Sequence, residues 1–518
     1  MTSFESTLFI NDNLNEQTRF PFLNTNPDLI AFHLTDYLDK KDIISLFVTC
    51  KKLQRRRAKV MACGDGHGSR LGFQLDELDS SKYELSNNSK RLIKFVKVFD
   101  KQLDNKTISD VTCGEFSLQI LTYSGQLFCT GNHFNSWHGG LGVHKPGPLN
   151  KDKKLPSLDR KDDFTGNIYP FILSEPYDYG SRLPINRKHI SVSSGRAHFI
   201  SLDNYGTLWS WDAASQENRG IELKLQDITG GFIVDNTNKI ISIKAGWDTS
   251  SAFVAKVGIV VWNRRLTLNL EKRNYQLHHT LASRYKHPSA YVECRVISSV
   301  NYFEDIIMED SIIHDYVLLD GFLIYITTLG NLFRVDLDSL NETRDYDNFL
   351  LHSYPLMGFR DYIKSNNTDK HLEPKFIKLS GCYNNFACIS NNGLVLLGDS
   401  DSKFDTAPKI IDSLQRKGCI SVEVGDHHFL ALFQNGELYS WGSELNANGC
   451  LGLGKIDDMI RKGAVVQGMD IHVDQPTKVP MQGKVLSIAA GGHQSAAIVA
   501  CDDEDQEETY EQTRMEPS

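Results

Sequence analysis

The chain has 518 residues, of which 40% are apolar and 23% are charged, a balance that excludes wholesale disorder and permits a large buried core. Residues 502–518 carry eight acidic side chains against one arginine, so this short segment accounts for −7 of the formal net charge of −9. The other 501 residues are near neutral at −2 and show no basic stripe, which argues against nucleic-acid binding.

The N-terminal twenty residues lack both a basic head and a continuous apolar stretch, and no later apolar run is long enough to span a bilayer. We therefore expect a soluble protein, cytoplasmic or nuclear or both, with no membrane contact. The ten cysteines include no Cys-x-x-Cys pair, so the sequence predicts no zinc site and favours reduced, packed thiols.

Residues 26–53 have the apolar spacing of two short helices joined by a polar turn. Asp42 is the expected N-cap of the second helix. The apolar positions are Leu29, Ile30, Leu34, Tyr37 and Leu38 in the first helix, and Ile43, Leu46, Phe47 and Cys50 in the second. Helices this short must bury their apolar faces against something else.

This segment resembles an F-box, although Asn26 stands where that motif usually has a leucine before its proline. The resemblance implies docking on the Skp-type adaptor of a cullin-based ubiquitin ligase. The residues expected to bind the adaptor are Pro27, Leu29, Ile30, Leu34, Leu38, Ile43, Leu46 and Cys50. The alternative is a plain helical cap on the domain that follows.

The strongest signal in the rest of the chain is an internal repeat. In SVEVGDHHFLALFQNGELYSWG, a short apolar strand ends at Gly425, a polar residue follows three positions later, and further glycines lie eleven and seventeen positions later. Units in the same register are centred on Gly114, Gly195, Gly246, Leu319, Gly381, Gly425 and Gly491. The last unit stops after its second strand, and residues 60–64 fit the strand that should follow.

Seven such units predict a mainly β protein, a seven-bladed β-propeller closed by a blade that both ends of the chain share, with a small N-terminal α-helical F-box. The predicted organisation is a flexible N-terminus (1–19), the F-box (20–57), the propeller (58–500) and an acidic disordered tail (501–518).

The repeat resembles that of the regulator of chromosome condensation family. Together with an F-box, the resemblance implies the substrate-recognition subunit of an SCF (Skp–cullin–F-box) ligase, a non-catalytic protein that binds the adaptor, and through it the cullin, and holds a target protein on its propeller. Two alternatives stay open: a guanine-nucleotide exchange factor, which is the activity of the founding family member, and a plain scaffold.

The clustered histidines His427, His428 and His493, and a glycine-rich segment, are the candidate sites for chemistry. The position three residues after each unit's central residue is polar but varied, which favours a structural hydrogen bond over a metal or a general base: Ser117, His198, Thr249, Asn384, His428 and Gln494. The segment 64–72 lacks the lysine of a phosphate-binding loop. We predict no catalytic residue, metal or cofactor. The long insertions 132–188 and 263–311 are candidates for target recognition, with the binding residues unknown.

Overall fold

The computed structural model describes residues 58–66, 70–71, 83–86, 89–98, 103, 106–131, 171–172, 187–196, 198–211, 221–227, 229–263, 289–298, 302–303, 306–307, 313–337 and 353–500. The predicted N-terminus (1–19), F-box (20–57) and acidic tail (501–518) lie outside the described residues, as do most of the two long insertions.

The described residues form mainly short strands, as expected from the period-two patterning of the repeat. In chain order these are β1 (Ala58–Asp65), β2 (Tyr83–Ser86), β3 (Ser89–Lys97), β4 (Ile108–Cys113), β5 (Ser117–Thr122), β6 (Leu127–Gly131), β7 (Phe171–Ile172), β8 (His189–Ser194), β9 (Phe199–Asp203), β10 (Leu208–Trp211), β11 (Ile221–Gln226), β12 (Ile240–Ala245), β13 (Thr249–Val254), β14 (Gly258–Asn263), β15 (Ser289–Glu293), β16 (Arg295–Ser298), β17 (Tyr302–Phe303), β18 (Ile306–Ile307), β19 (Ile313–Leu318), β20 (Phe322–Thr327), β21 (Leu332–Asp336), β22 (Ser353–Pro355), β23 (Phe376–Cys382), β24 (Asn385–Ser390), β25 (Val395–Asp399), β26 (Lys409–Ile410), β27 (Cys419–Val424), β28 (His428–Phe433), β29 (Leu438–Glu444), β30 (Val465–Gln467), β31 (Asp470–Lys478), β32 (Lys484–Ala490) and β33 (Gln494–Ala500). The helices are α1 (Met357–Ser365) and α2 (Ile456–Arg461), with 3-10 turns at Asp412–Leu414 and Leu445–Ala447.

Seven sheets of four or five strands form the blades, which confirms the predicted mainly β, seven-bladed propeller; the α-helical F-box stays a prediction. From the inside outward they are β4–β5–β6–β7 (blade 1), β8–β9–β10–β11–β15 (blade 2), β12–β13–β14–β16 (blade 3), β19–β20–β21–β22 (blade 4), β23–β24–β25–β26 (blade 5), β27–β28–β29–β31–β30 (blade 6) and β32–β33–β1–β3–β2 (blade 7). Pairing is antiparallel except between β11 and β15, and β17 and β18 form a separate hairpin. The inner strands β4, β8, β12, β19, β23, β27 and β32 contact one another in that order, and β32 contacts β4.

Blade 7 closes the ring as predicted. Strand β1 pairs with β33 over seven residues, from Ala58 opposite Ala500 to Gly64 opposite Gln494. The backbone groups of β33 are thus paired on both sides, with β32 and with β1, which removes an exposed sheet edge. Residues 1–57 continue from Ala58 and residues 501–518 continue from Ala500, which lie opposite each other in this blade. We call this end of the ring the attachment end.

Every inner strand carries a bulge near its start, between its first and third residues in six strands and between its second and fourth in β32. A bulge re-aims the extra residue and increases the local twist. The bulged residues are Ser109, Ile190, Ile241, His314, Ile377, Ile420 and Leu486. Four of them are isoleucines exposed by 40–57%, on blades 2, 3, 5 and 6.

Blades 2 and 6 each bury a tryptophan against a phenylalanine on the neighbouring strand of the same sheet. Trp441 stacks on Phe429 with ring centroids 5.2 Å apart. In blade 5 the equivalent position is Gly398, where a Cβ would overlap the Phe386 ring. Phe359, on α1, stacks on that ring at 5.5 Å. Helix α1 therefore supplies the aromatic side chain that the blade lacks.

Candidate functional site at the mouth of the central channel

The inner strands converge where each reaches the central residue of its repeat, and glycine is what allows this approach. A Cβ on Gly195 would overlap the Gly246 carbonyl oxygen of the next blade, and one on Gly425 would lie 2.5 Å from the Gly491 oxygen. Real Cβ atoms do not come so close to a carbonyl oxygen, so neither position accepts a larger residue without movement. We call this the glycine end of the channel, opposite the attachment end.

Blade 5 is one residue out of the register read from the sequence. Cys382, rather than Gly381, occupies the central position, because it pairs with Asn385 at the end of the β23–β24 ladder. The polar position of this blade is therefore Asn385 and not Asn384. Blade 4 has Phe322 there, opposite Leu319, so six of the seven blades keep a polar residue at this position.

Three of the repeated polar residues, His198, His428 and Gln494, join neighbouring blades, which confirms the structural interpretation of the histidines. His198 Nε2 shares a hydrogen bond with Ser250 Oγ at 2.7 Å, and His428 Nε2 with Ser495 Oγ at 2.8 Å. Gln494 Nε2 donates to the Ser117 carbonyl at 2.7 Å. Burial lowers the pKa of His428 to about 3, so this imidazole is neutral at physiological pH.

The residue that follows the central position varies from blade to blade, with six residue types over the seven blades, and these residues meet around the channel axis. We call them the channel mouth: Glu115, Arg196, Trp247, Asp320, Tyr383, Asp426 and Gly492. Arg196 Nε donates to Glu115 Oε2 at 2.5 Å, and its guanidinium lies 4.5 Å above the Trp247 ring. Trp247 in turn contacts Tyr383, two blades away, with ring centroids 4.4 Å apart. An ion pair and an aromatic pair therefore span four blades.

Arg70 reaches the same mouth from the chain that follows β1. Its side chain is 3% exposed, and its Nη1 donates to the Glu115 carbonyl oxygen at 3.0 Å. It also lies 3.6 Å from Asp65 and 5.3 Å from the Phe116 ring. The glycine-rich segment 64–72 thus contributes a buried cation to the mouth.

Asp426 is the group at this mouth whose titration is most perturbed toward neutrality. It is 5% exposed, and its carboxylate accepts a hydrogen bond from Cys382 Sγ at 3.3 Å. Burial, reinforced by the nearby Glu115 carboxylate, raises the pKa of Asp426 to about 7, while Arg196 and Arg70 oppose this shift. Close to half of these side chains are therefore protonated at neutral pH.

A cavity of about 430 Å³ extends from the mouth along the inner strands. Its wall is largely polar: Thr112 Oγ1 lies 2.6 Å from Ser194 Oγ, and Ser380 Oγ donates to Glu423 at 3.0 Å. The eight described cysteines are free thiols, as expected, and burial raises the pKa of those beside the cavity, such as Cys113 and Cys382. Among the described residues, no three histidine, cysteine, aspartate or glutamate side chains are grouped to hold a metal ion.

Sequence reasoning missed the channel mouth. The residues it did assign to a site, the adaptor-binding set from Pro27 to Cys50, lie outside the described residues and stay a prediction. The signal for the mouth was nonetheless available. Each mouth residue follows its repeat's central residue by one position, and these are the positions where the copies cease to agree.

Comparison with known proteins supports the repeat assignment. A family model described as the regulator of chromosome condensation (RCC1) repeat matches residues 419–450 and 435–498. Residues 419–498 of the propeller carry RCC1-type repeats. The crystal structure of Prp20p from Saccharomyces cerevisiae, a protein with binding properties to Gsp1p and histones, is similar to this fold. The superposition covers 89% of this chain and 95% of Prp20p, at 13% identity and a TM-score of 0.51. That similarity shows the fold.

Two curated fungal proteins resemble the chain in sequence, as expected of an F-box protein with this propeller. "F-box protein pof9" of Schizosaccharomyces pombe is 25% identical over 503 residues, 92% of this chain and 90% of that protein. "SCF-associated factor 1" of S. cerevisiae is 25% identical over 345 residues, 65% of this chain. The match covers less than half of that relative, 46% of its length. In the described ranges, no helix is long and apolar enough to cross a membrane.

Proposed function

We propose that this chain is the substrate-recognition subunit of an SCF ubiquitin ligase. The observation that carries the proposal is the similarity to an F-box protein over 92% of the chain, a span too long for the propeller repeats alone to account for. A propeller offers a rigid ring with variable residues at its mouth, which suits it to hold a target protein. Ubiquitin transfer then needs only proximity, because a tethered target has a high effective concentration at the ligase.

The F-box would dock on the Skp-type adaptor through Pro27, Leu29, Ile30, Leu34, Leu38, Ile43, Leu46 and Cys50, and the adaptor would connect the chain to the cullin. Apolar side chains on one stripe of a helix pair are the usual anchors of such a contact. The chain itself then needs no catalytic residue, and its location in the cytoplasm or nucleus would follow that of its target.

The test is co-purification of the Skp-type adaptor with the variant Leu34→Asp with Leu38→Asp. Two charges forced into an apolar contact should abolish adaptor binding and leave the melting temperature of the propeller unchanged. The matched control, Thr35→Asp with Lys41→Asp, changes polar positions of the same segment and should still bind. Adaptor recovery with the Leu34 and Leu38 variant equal to that of the unmodified chain would exclude the F-box assignment.

Guanine-nucleotide exchange is compatible with the same fold, so the two functions need separate measurements. The N-terminal F-box pattern has no role in an exchange factor, whereas it is required in a ligase subunit. Release of labelled GDP from a small GTPase, measured with the purified chain, should show no acceleration. Acceleration by the chain, together with failure to recover the adaptor, would favour exchange.

A further inference from the structure

The Asp426 carboxylate has no cationic hydrogen-bond partner among the described residues. Its recorded side-chain hydrogen bond comes from Cys382 Sγ, and a thiol is a weak donor. An ionised carboxylate has about four acceptor positions, and a charge that is 5% exposed cannot satisfy them with bulk water. A hydrogen-bond donor that enters the mouth would therefore stabilise the Asp426 carboxylate.

The two arginines of the mouth direct their recorded contacts elsewhere. Arg196 pairs with Glu115 and stacks on Trp247, and Arg70 donates to a carbonyl oxygen and lies beside Asp65. Both cations lower the electrostatic cost of ionising Asp426, yet burial and Glu115 outweigh them. A further cation placed against Asp426 would therefore stabilise its ionised form, whose desolvation the two arginines do not fully offset.

The shape of the mouth fits a flat, delocalised cation. Trp247 and Tyr383 form an aromatic wall beside the carboxylates, and Arg196 already shows that a guanidinium stacks on this tryptophan. The cavity of about 430 Å³ falls in the range of sites that enclose small ligands or side chains. A metal ion is the weaker fit, since the described side chains do not supply a third ligand.

We propose that the channel mouth binds an arginine side chain of a partner protein, with Asp426 and Glu115 as its carboxylate partners and Trp247 and Tyr383 as its aromatic wall. That this partner is a target of the ligase rests on the proposed function. The binding of arginine depends only on residues of the propeller. The mouth lies at the glycine end, opposite the end where Ala58 pairs with Ala500.

The experiment measures binding of the peptide acetyl-Ser-Gly-Arg-Gly-Ser-amide to the full chain by titration calorimetry, with citrulline in place of arginine as the neutral control peptide. Arginine should bind about tenfold or more tightly than citrulline, because a charge-assisted bond is lost with citrulline. Asp426→Asn should remove that preference. Asp457→Asn, a change at an exposed carboxylate on α2, is the control variant and should keep it.

A second variant and a pH series guard against an indirect effect of the Asp426 change. Trp247→Leu removes the aromatic wall and should weaken arginine binding severalfold with all charges kept. Affinity should fall as pH drops from 8 to 6, because Asp426 becomes protonated, and Asp426→Asn should show no such fall. The other groups near Asp426 are Glu115, Cys382, Arg196, Arg70 and Cys450, and burial raises the pKa of the Cys450 thiol, which stays protonated over this range. Nearby His493 has its pKa lowered to about 4, mainly by burial, so it stays neutral over this range.

Equal affinity for the arginine and citrulline peptides, no binding of either, or an unchanged preference in Asp426→Asn would each overturn the proposal. None of these results concerns the adaptor, whose recovery depends on residues 20–57. A chain that binds arginine but never the adaptor would keep this inference and lose the ligase function. A chain that recovers the adaptor but ignores arginine would do the reverse.

Discussion

Replacing Asp426 by asparagine should make the protein more stable at alkaline pH and remove a pH dependence that the unmodified chain shows. The pKa of Asp426 is raised from 3.8 to about 7, so the folded state holds a proton that the unfolded chain has released. Stability is then greatest below about pH 4 and falls as pH rises toward 7. At about 1.4 kcal/mol per pKa unit, a shift of roughly three units costs up to about 4 kcal/mol at pH 8. Asparagine keeps the shape without the charge.

The assay is urea denaturation of the unmodified chain and Asp426→Asn at pH 5 and pH 8. The difference between the two proteins should grow by about 2 to 4 kcal/mol between these values, in favour of the variant at pH 8. Buried histidines such as His428 and His493 also titrate on unfolding, but they contribute equally to both proteins and cancel in the difference. A difference that is the same at both pH values would show that Asp426 is ionised normally and would refute the reasoning.

Three other predictions concern the ring itself, each measured as a denaturation midpoint or by limited proteolysis. Gly195→Ala should cost about 1–3 kcal/mol or more, because the new methyl meets the neighbouring blade, whereas Gly206→Ala has open space and should cost only about 1 kcal/mol of backbone strain. Phe359→Ala should cost about 3–5 kcal/mol and expose blade 5 to protease. Truncation before Lys484 should leave the ring open and protease-sensitive, while deletion of residues 1–57 should be tolerated; resistance of the first protein would refute the shared blade.

The ring could be predicted from the sequence because its constraints repeat. Gly195 and Gly425 are both required because the backbone of the neighbouring blade approaches them closely. The same requirement recurs along the chain, so glycine recurs at a spacing that the sequence shows. The same regularity predicted the pairing of residues 60–64 with the last unit, since a half-blade at one end of the chain requires its complement at the other. Blade count and closure therefore followed from the pattern alone.

Blade 5 shows where that reasoning fails. Gly381 lies next to the central position and matches the expected letter, yet Cys382 is the residue that completes the ladder. Gly398 lies seventeen positions after Gly381, the spacing that separates Gly442 from Gly425, yet it pairs with Phe386 and so takes the place of the tryptophan in blade 6. The missing tryptophan is replaced by Phe359 on α1, which stacks on Phe386. Because α1 lies outside the repeat, only the tertiary structure shows this contact.

The channel mouth could not be predicted because its residues do not repeat from blade to blade, and this variation is what could give the fold its specificity. Positions that hold blades together must be similar in all seven, so they have little freedom to distinguish one partner from another. One residue further on, the backbone has left the ladder, so the pairing of strands no longer restricts the residue type. Side chains at these positions contact one another instead, as Arg196 contacts Glu115 and Trp247. Strand β1 runs from the attachment end to this mouth, about 25 Å at the usual rise per residue. A ligand at the glycine end would then lie at the opposite end of the ring from Ala58 and Ala500.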